Sequence, residues 1–198
     1  LNDAAVVSSM NITSGAGADD ITLGTGADVV SSGAGNDTVT GTTGASNTVD
    51  TGDGVDTMIL SGSVSENISM GAGNDIITAA TNLDALDTID GGDGVDTLSI
   101  TGGISNSSVI GGVSNVEVLS MIGNITVTAS GDMGGVSTYN LTEDTGAHTL
   151  NLGSATAAYS KDTTVLITGQ ANTSGDTIDA RSSTGTLTVK GLQTDFDN

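Results

Sequence analysis

Six aspartates, Asp19, Asp28, Asp37, Asp56, Asp75 and Asp96, each close a Gly-x-Gly-x-Asp segment. The glycine pairs are Gly15 and Gly17, Gly24 and Gly26, Gly33 and Gly35, Gly52 and Gly54, Gly71 and Gly73, and Gly92 and Gly94. Two glycines permit a tight turn with positive φ, and the carboxylate leaves that turn pointing at whatever stacks beside it. This is the chemistry of a hard cation. Calcium collects roughly 6–8 oxygens at about 2.4 Å, here from carboxylates of neighbouring turns and from carbonyls that the glycine turns expose.

The elements that must carry these residues follow from the spacing. Three units of nine residues run without a gap, SGAGADDIT (14–22), LGTGADVVS (23–31) and SGAGNDTVT (32–40), followed by TGDGVDTMI (51–59), MGAGNDIIT (70–78) and GGDGVDTLS (91–99). Two places after each key aspartate stands an apolar residue, Ile21, Val30, Val39, Met58, Ile77 or Leu98, which should face inward from a short strand. Unit starts at 14, 32, 51, 70 and 91 give steps of 18, 19, 19 and 21 residues. Two half-turns of nine residues therefore make one coil of a solenoid. The expected neighbours along one edge are Asp19 with Asp37, Asp37 with Asp56, Asp56 with Asp75, and Asp75 with Asp96. The second edge keeps the motif only at Leu23, so it is expected to have largely lost a metal-binding role.

Rungs of such a stack lie about 4.8 Å apart. Two bare carboxylates at that distance repel by roughly 3.5 kcal/mol at an effective dielectric near 20, so a cation is expected between them. Two near-duplicate segments 40 residues apart, NTVDTGDGVDTM (47–58) and DTIDGGDGVDTL (87–98), carry extra acid at Asp50, Asp53, Asp90 and Asp93. Those four either complete a ligand shell or are solvated turn residues.

Composition narrows the classes. A formal charge of −21 with only three Lys and Arg argues against nucleic acid and against an anionic membrane surface, and multivalent cations are the natural partner. No apolar run approaches the length of a membrane span, so no membrane insertion is expected. There are no cysteines, and aromatics are 2%, which suits a thin layered core of small and β-branched residues. His148 is the only histidine, and Tyr139, Tyr159 and Phe196 are too scattered to line a sugar-binding cleft, so no enzyme is expected and no catalytic residue is assigned. The chain opens on Leu1, which reads as a fragment or a processed product.

The six units resemble the nonapeptide G-G-x-G-x-D-x-U-x of RTX (repeats-in-toxin) proteins, over residues 14 to 99. The resemblance implies an all-β, right-handed parallel β-roll with several Ca2+ ions between successive turns. It makes Asp19, Asp28, Asp37, Asp56, Asp75 and Asp96 ligands, with export by type I secretion. Only Gly91–Gly92 preserves the family's leading glycine pair.

The Thr/Ser/Val/Gly texture of the second half, including GGVSNVEVLSMIGNITVT (111–128), is similar to bacterial RTX-type surface-layer proteins. That implies a secreted structural protein of the cell surface, self-assembling into a lattice or filament. A cell-surface polysaccharide would be met through regions outside these residues. The rivals are an RTX adhesin or ice-binding module, and a calcium-binding accessory region of a secreted hydrolase or epimerase. The expected organisation is a lead-in strand over 1–13, a calcium-binding β-roll over 14–99, and a β-solenoid continuation or second β-domain over 100–198. Strands in the last part are expected at 116–121, 125–129, 137–141, 148–152, 163–168 and 186–190, separated by Gly, Ser, Asn and Asp turns.

Overall fold

The computed structural model describes residues 7–61, 65–80, 83, 85–102, 111–123, 125–129, 135–143, 148–152, 160–169, 177–181 and 183–190. Tyr159 and Phe196 lie outside them. The first half holds Asn11–Ala16 (β1), Asp20–Thr22 (β2), Val29–Ala34 (β3), Thr38–Thr40 (β4), Thr48–Asp50 (β5), Thr57–Leu60 (β6), Asn67–Ser69 (β7), Ile76–Ala79 (β8), Thr88–Asp90 (β9) and Thr97–Thr101 (β10). The second half holds Val113–Ser114 (β11), Val118–Ile122 (β12), Thr126–Ala129 (β13), Thr138–Glu143 (β14), Thr149–Leu152 (β15), Thr163–Gly169 (β16), Thr177–Asp179 (β17) and Leu187–Lys190 (β18).

Every strand pairing is parallel. Odd strands β1 to β11 form one sheet of six, even strands β2 to β18 form one sheet of nine, and β13, β15 and β17 form a sheet of three. The chain thus winds between two walls, the expected all-β solenoid. The nine-stranded wall runs unbroken through β10 and β12, and so through residue 100.

Short strands of alternating residues cannot bury both faces, and the coil encloses one. The apolar residue two places after each key aspartate is buried at all six positions, Ile21, Val30, Val39, Met58, Ile77 and Leu98. Along the long wall that column continues in register from Leu98 to Leu119, Tyr139 and Val165, all fully buried. Ile12, Val49, Ile68 and Ile89 face it from the six-stranded wall. One side chain per strand position per rung makes a core a few atoms thick.

The glycine turns are close-packed against each other. At Gly73, φ is +155° and a Cβ would stand 1.5 Å from the carbonyl oxygen of Gly54, one rung below. No other residue type fits there, so the second glycine of the motif is explained by rung stacking alone.

Candidate functional site

The key aspartates of the main edge form a continuous ladder. Asp37 Oδ1 accepts the main-chain N–H of Asp19, Asp56 Oδ1 that of Asp37, Asp75 Oδ1 that of Asp56, and Asp96 Oδ1 that of Asp75, each at 2.8 Å. The four neighbour pairs expected from spacing are therefore adjacent rungs. The ladder continues one step beyond the motif, where Glu117 Oε2 accepts the N–H of Asp96 at 2.9 Å. Glu117 is 21 residues after Asp96, the step of the rung before it.

One oxygen of each carboxylate is spent on this bond. The other, Oδ2 of Asp28, Asp37, Asp56, Asp75 and Asp96, is buried without a hydrogen-bond partner. Asp19, on the first rung, is half-buried. Stacked buried carboxylates with an idle oxygen are costly in the charged form, and the titration behaviour reflects it. Burial pushes the Asp75 carboxyl up to about 6, opposed by the Asp56 N–H and reinforced by the charges of Asp56 and Asp96. Burial likewise raises Asp56 and Asp96, the former with repulsion from Asp37 and Asp53, the latter with repulsion from Glu117 and Asp90.

The glycine pairs on this edge, Gly15 and Gly17, Gly33 and Gly35, Gly52 and Gly54, Gly71 and Gly73, and Gly92 and Gly94, all have positive φ. The position before three of these pairs carries a hydroxyl, from Ser14, Ser32 and Thr51. Each hydroxyl donates to the carbonyl of the next rung, Ser32 O at 2.8 Å, Thr51 O at 3.1 Å and Met70 O at 2.6 Å. Gly91 is close-packed instead: a Cβ there would lie 2.0 Å from the Asn115 carbonyl oxygen and 2.8 Å from Asp96 Oδ2.

The second edge, which keeps the Gly-x-Gly-x-Asp motif only once, carries a side-chain ladder of its own. Asp28 Oδ1 accepts the Met10 N–H, Asn47 Oδ1 that of Asp28, Glu66 Oε2 that of Asn47, and Asp87 Oδ1 that of Glu66, at 2.8–2.9 Å. All four side chains are buried. Sequence reasoning missed Asn47, Glu66 and Asp87 because no Gly-x-Gly precedes them; their steps of 19, 19 and 21 residues match the main edge and were the available signal. Burial pushes the Glu66 carboxyl up to about 7, against bonds from Asn47 and with the Asp87 charge adding to the rise. Gly24 and Gly26 lack the positive φ of the other pairs; Gly26 instead lies under the Ser8 main chain, 2.5 Å from where its Cβ would be.

The extra acids sit elsewhere. Asp50, Asp53 and Asp93 are exposed, and Asp90 is half-buried with its Oδ1 taking the Asn115 side-chain amide at 2.7 Å. Fully buried His148 leads into β15, where its carbonyl accepts the Thr177 N–H at 2.9 Å.

Among the described residues no three His, Cys, Asp or Glu side chains converge as a metal site. The donors nevertheless fit a hard cation: negative oxygens repeated rung by rung, each with an idle, buried Oδ2. Two carboxylates of successive rungs would hold it, with main-chain carbonyls and water completing the shell. Fold and site together define a parallel β-solenoid with a buried carboxylate ladder on its main edge. No family model, curated protein or solved structure matches the chain.

Proposed function

We propose that the chain is an RTX-type β-roll that folds around several calcium ions. In this reading it is a secreted piece of a calcium-dependent bacterial surface layer and has a structural, not a catalytic, role. The observation that carries the reading is the row of buried, partnerless Oδ2 atoms on Asp37, Asp56, Asp75 and Asp96. An array of that kind is unfavourable when ionised and alone, and favourable once a divalent oxygen-seeking ion sits between successive rungs. Asp19, Asp37, Asp56, Asp75 and Asp96 are the main-edge ligands, and Asp28 holds the same relation to the second edge. Calcium binding is then folding free energy, so the acidic chain stays extended where calcium is scarce and folds where it is plentiful.

Circular dichroism during a calcium titration at neutral pH tests this. β-Structure should appear cooperatively, and magnesium, which demands a rigid octahedral shell near 2.1 Å, should substitute poorly. A chain fully folded in excess chelator at pH 8 would overturn the reading.

A further inference from the structure

The outer face of the nine-stranded wall is nearly free of charge along its length. Its first outward column, in strict register from β2 to β18, reads Asp20, Thr38, Thr57, Ile76, Thr97, Val118, Thr138, Thr164, Thr188. The second reads Thr22, Thr40, Ile59, Thr78, Ser99, Ser120, Asn140, Leu166, Lys190. Between Asp20 at one end and Lys190 at the other, neither column holds a charge. Asp162 stands at the rim before β16, its Oδ1 accepting the Thr186 N–H at 2.8 Å. The outer face of the six-stranded wall, by contrast, carries Asp50 and Asp90.

The first column is also a near-palindrome about its central strand. Thr97 is the midpoint; Ile76 and Val118 flank it, then Thr57 and Thr138, then Thr38 and Thr164. A two-fold axis along β10 would bring each Ile76 onto the partner copy's Val118, with Thr97 meeting its own counterpart. Ile76 is one of the few large apolar side chains left exposed, at 43%. The same operation brings Asp20 beside Lys190 of the other copy, two residues along the strand, a step of about 7 Å that a lysine spans. It also sets the half with fifteen carboxylates and no cation, residues 1–99, against the half with nine carboxylates and all three cations.

We propose that this face is a self-complementary interface through which two copies of the chain pack antiparallel, wall against wall. It rests on the reading of the chain as an assembling solenoid, and it names the surface that assembles. Nine rungs about 4.8 Å apart and two outward positions per strand, each covering about 7 Å along it, give a face of roughly 40 by 14 Å, so a pair buries about 1,000 Å2, the lower end for specific association. The dimer is therefore concentration-dependent.

Cross-linking and sedimentation of the whole chain in millimolar calcium test it. The protein has no cysteine, so a single Thr97→Cys variant should be joined to itself by a short bismaleimide, while Thr48→Cys on the six-stranded wall should not. Wild type should sediment as a dimer at high micromolar concentration. Thr97→Asp, which sets two carboxylates face to face, should raise the dimer dissociation constant at least about tenfold, and Thr48→Asp should leave it unchanged. Circular dichroism of each variant separates lost assembly from lost folding. A wild-type monomer at high concentration, equal cross-linking at both cysteines, or a monomer that adsorbs instead to ice or polysaccharide would overturn the proposal. A dimer that forms equally well in chelator leaves the interface standing and overturns the calcium reading.

Discussion

Acid should do part of the work of calcium. In the metal-free fold the Asp75 carboxyl is raised from 3.8 to about 6 and Glu66 from 4.5 to about 7, both by burial. A carboxyl whose folded value lies above its unfolded one binds more protons in the native state, so its contribution is fully present below the unfolded value and disappears as pH rises through the folded one. Between pH 5 and pH 8 this removes about 1 kcal/mol through Asp75 and about 3 kcal/mol through Glu66, together about 4 kcal/mol. The raised Asp56 and Asp96 carboxyls push in the same direction.

Set against a total of about 5–15 kcal/mol for a typical domain, that decides whether the chelated chain is folded. The assay is urea unfolding followed by circular dichroism at pH 5, 6, 7 and 8, in chelator and in calcium. In chelator the midpoint should fall with rising pH by about 2 M urea, or β-structure should appear on acidification if the chain is unfolded at pH 8. In calcium the slope should invert, because the cation favours the ionised ladder. A chelator midpoint that rises with pH would refute the claim that burial of unneutralised carboxylates dominates.

Asp56→Asn keeps the shape and the acceptor for the Asp37 N–H while removing a buried charge. It should leave the chelated protein as stable or up to about 2 kcal/mol more so, yet raise the calcium concentration needed for folding at least about tenfold, by titration with circular dichroism. Gly73→Ala should cost several kcal/mol or abolish folding, since its Cβ would collide with the Gly54 carbonyl; Gly41→Ala, whose nearest contact would be 3.5 Å away, should stay within about 0.5 kcal/mol, both read from thermal midpoints.

The main edge was legible because its turn chemistry is written in residue types that do little else. Two glycines and an aspartate at fixed spacing gave the neighbours Asp37, Asp56, Asp75 and Asp96, the inward column from Ile21 to Leu98, and the coil length. The six strands expected in the second half also lie over β12 to β16 and β18. The second edge was not legible by that route: its turns dispense with the glycine pair, and its ladder mixes an amide, a longer acid and aspartates, so only the rung interval survives. Nor does local sequence say that the six-stranded wall ends at β11 and a three-stranded one takes over at β13. No turn motif marks that exchange; the sequence intervals between paired strands only lengthen around it, to 24 residues from Ile89 to Val113 and 26 from Thr138 to Thr164.

The carboxylate ladder has a direction. Each rung's N–H is held by a side chain of the rung that follows it in the chain, from Asp19 held by Asp37 to Asp96 held by Glu117. Removing coils from the N-terminal end therefore strips a carboxylate of its donor but leaves every remaining aspartate N–H of the ladder held by its carboxylate. Removing coils from the C-terminal end uncaps the last turn. The stack is polar in the sense that a filament is polar: its main-chain bonds run both ways, as from the Thr38 N–H back to Asp19 O, but the carboxylate ladder runs one way, so its two ends are chemically different.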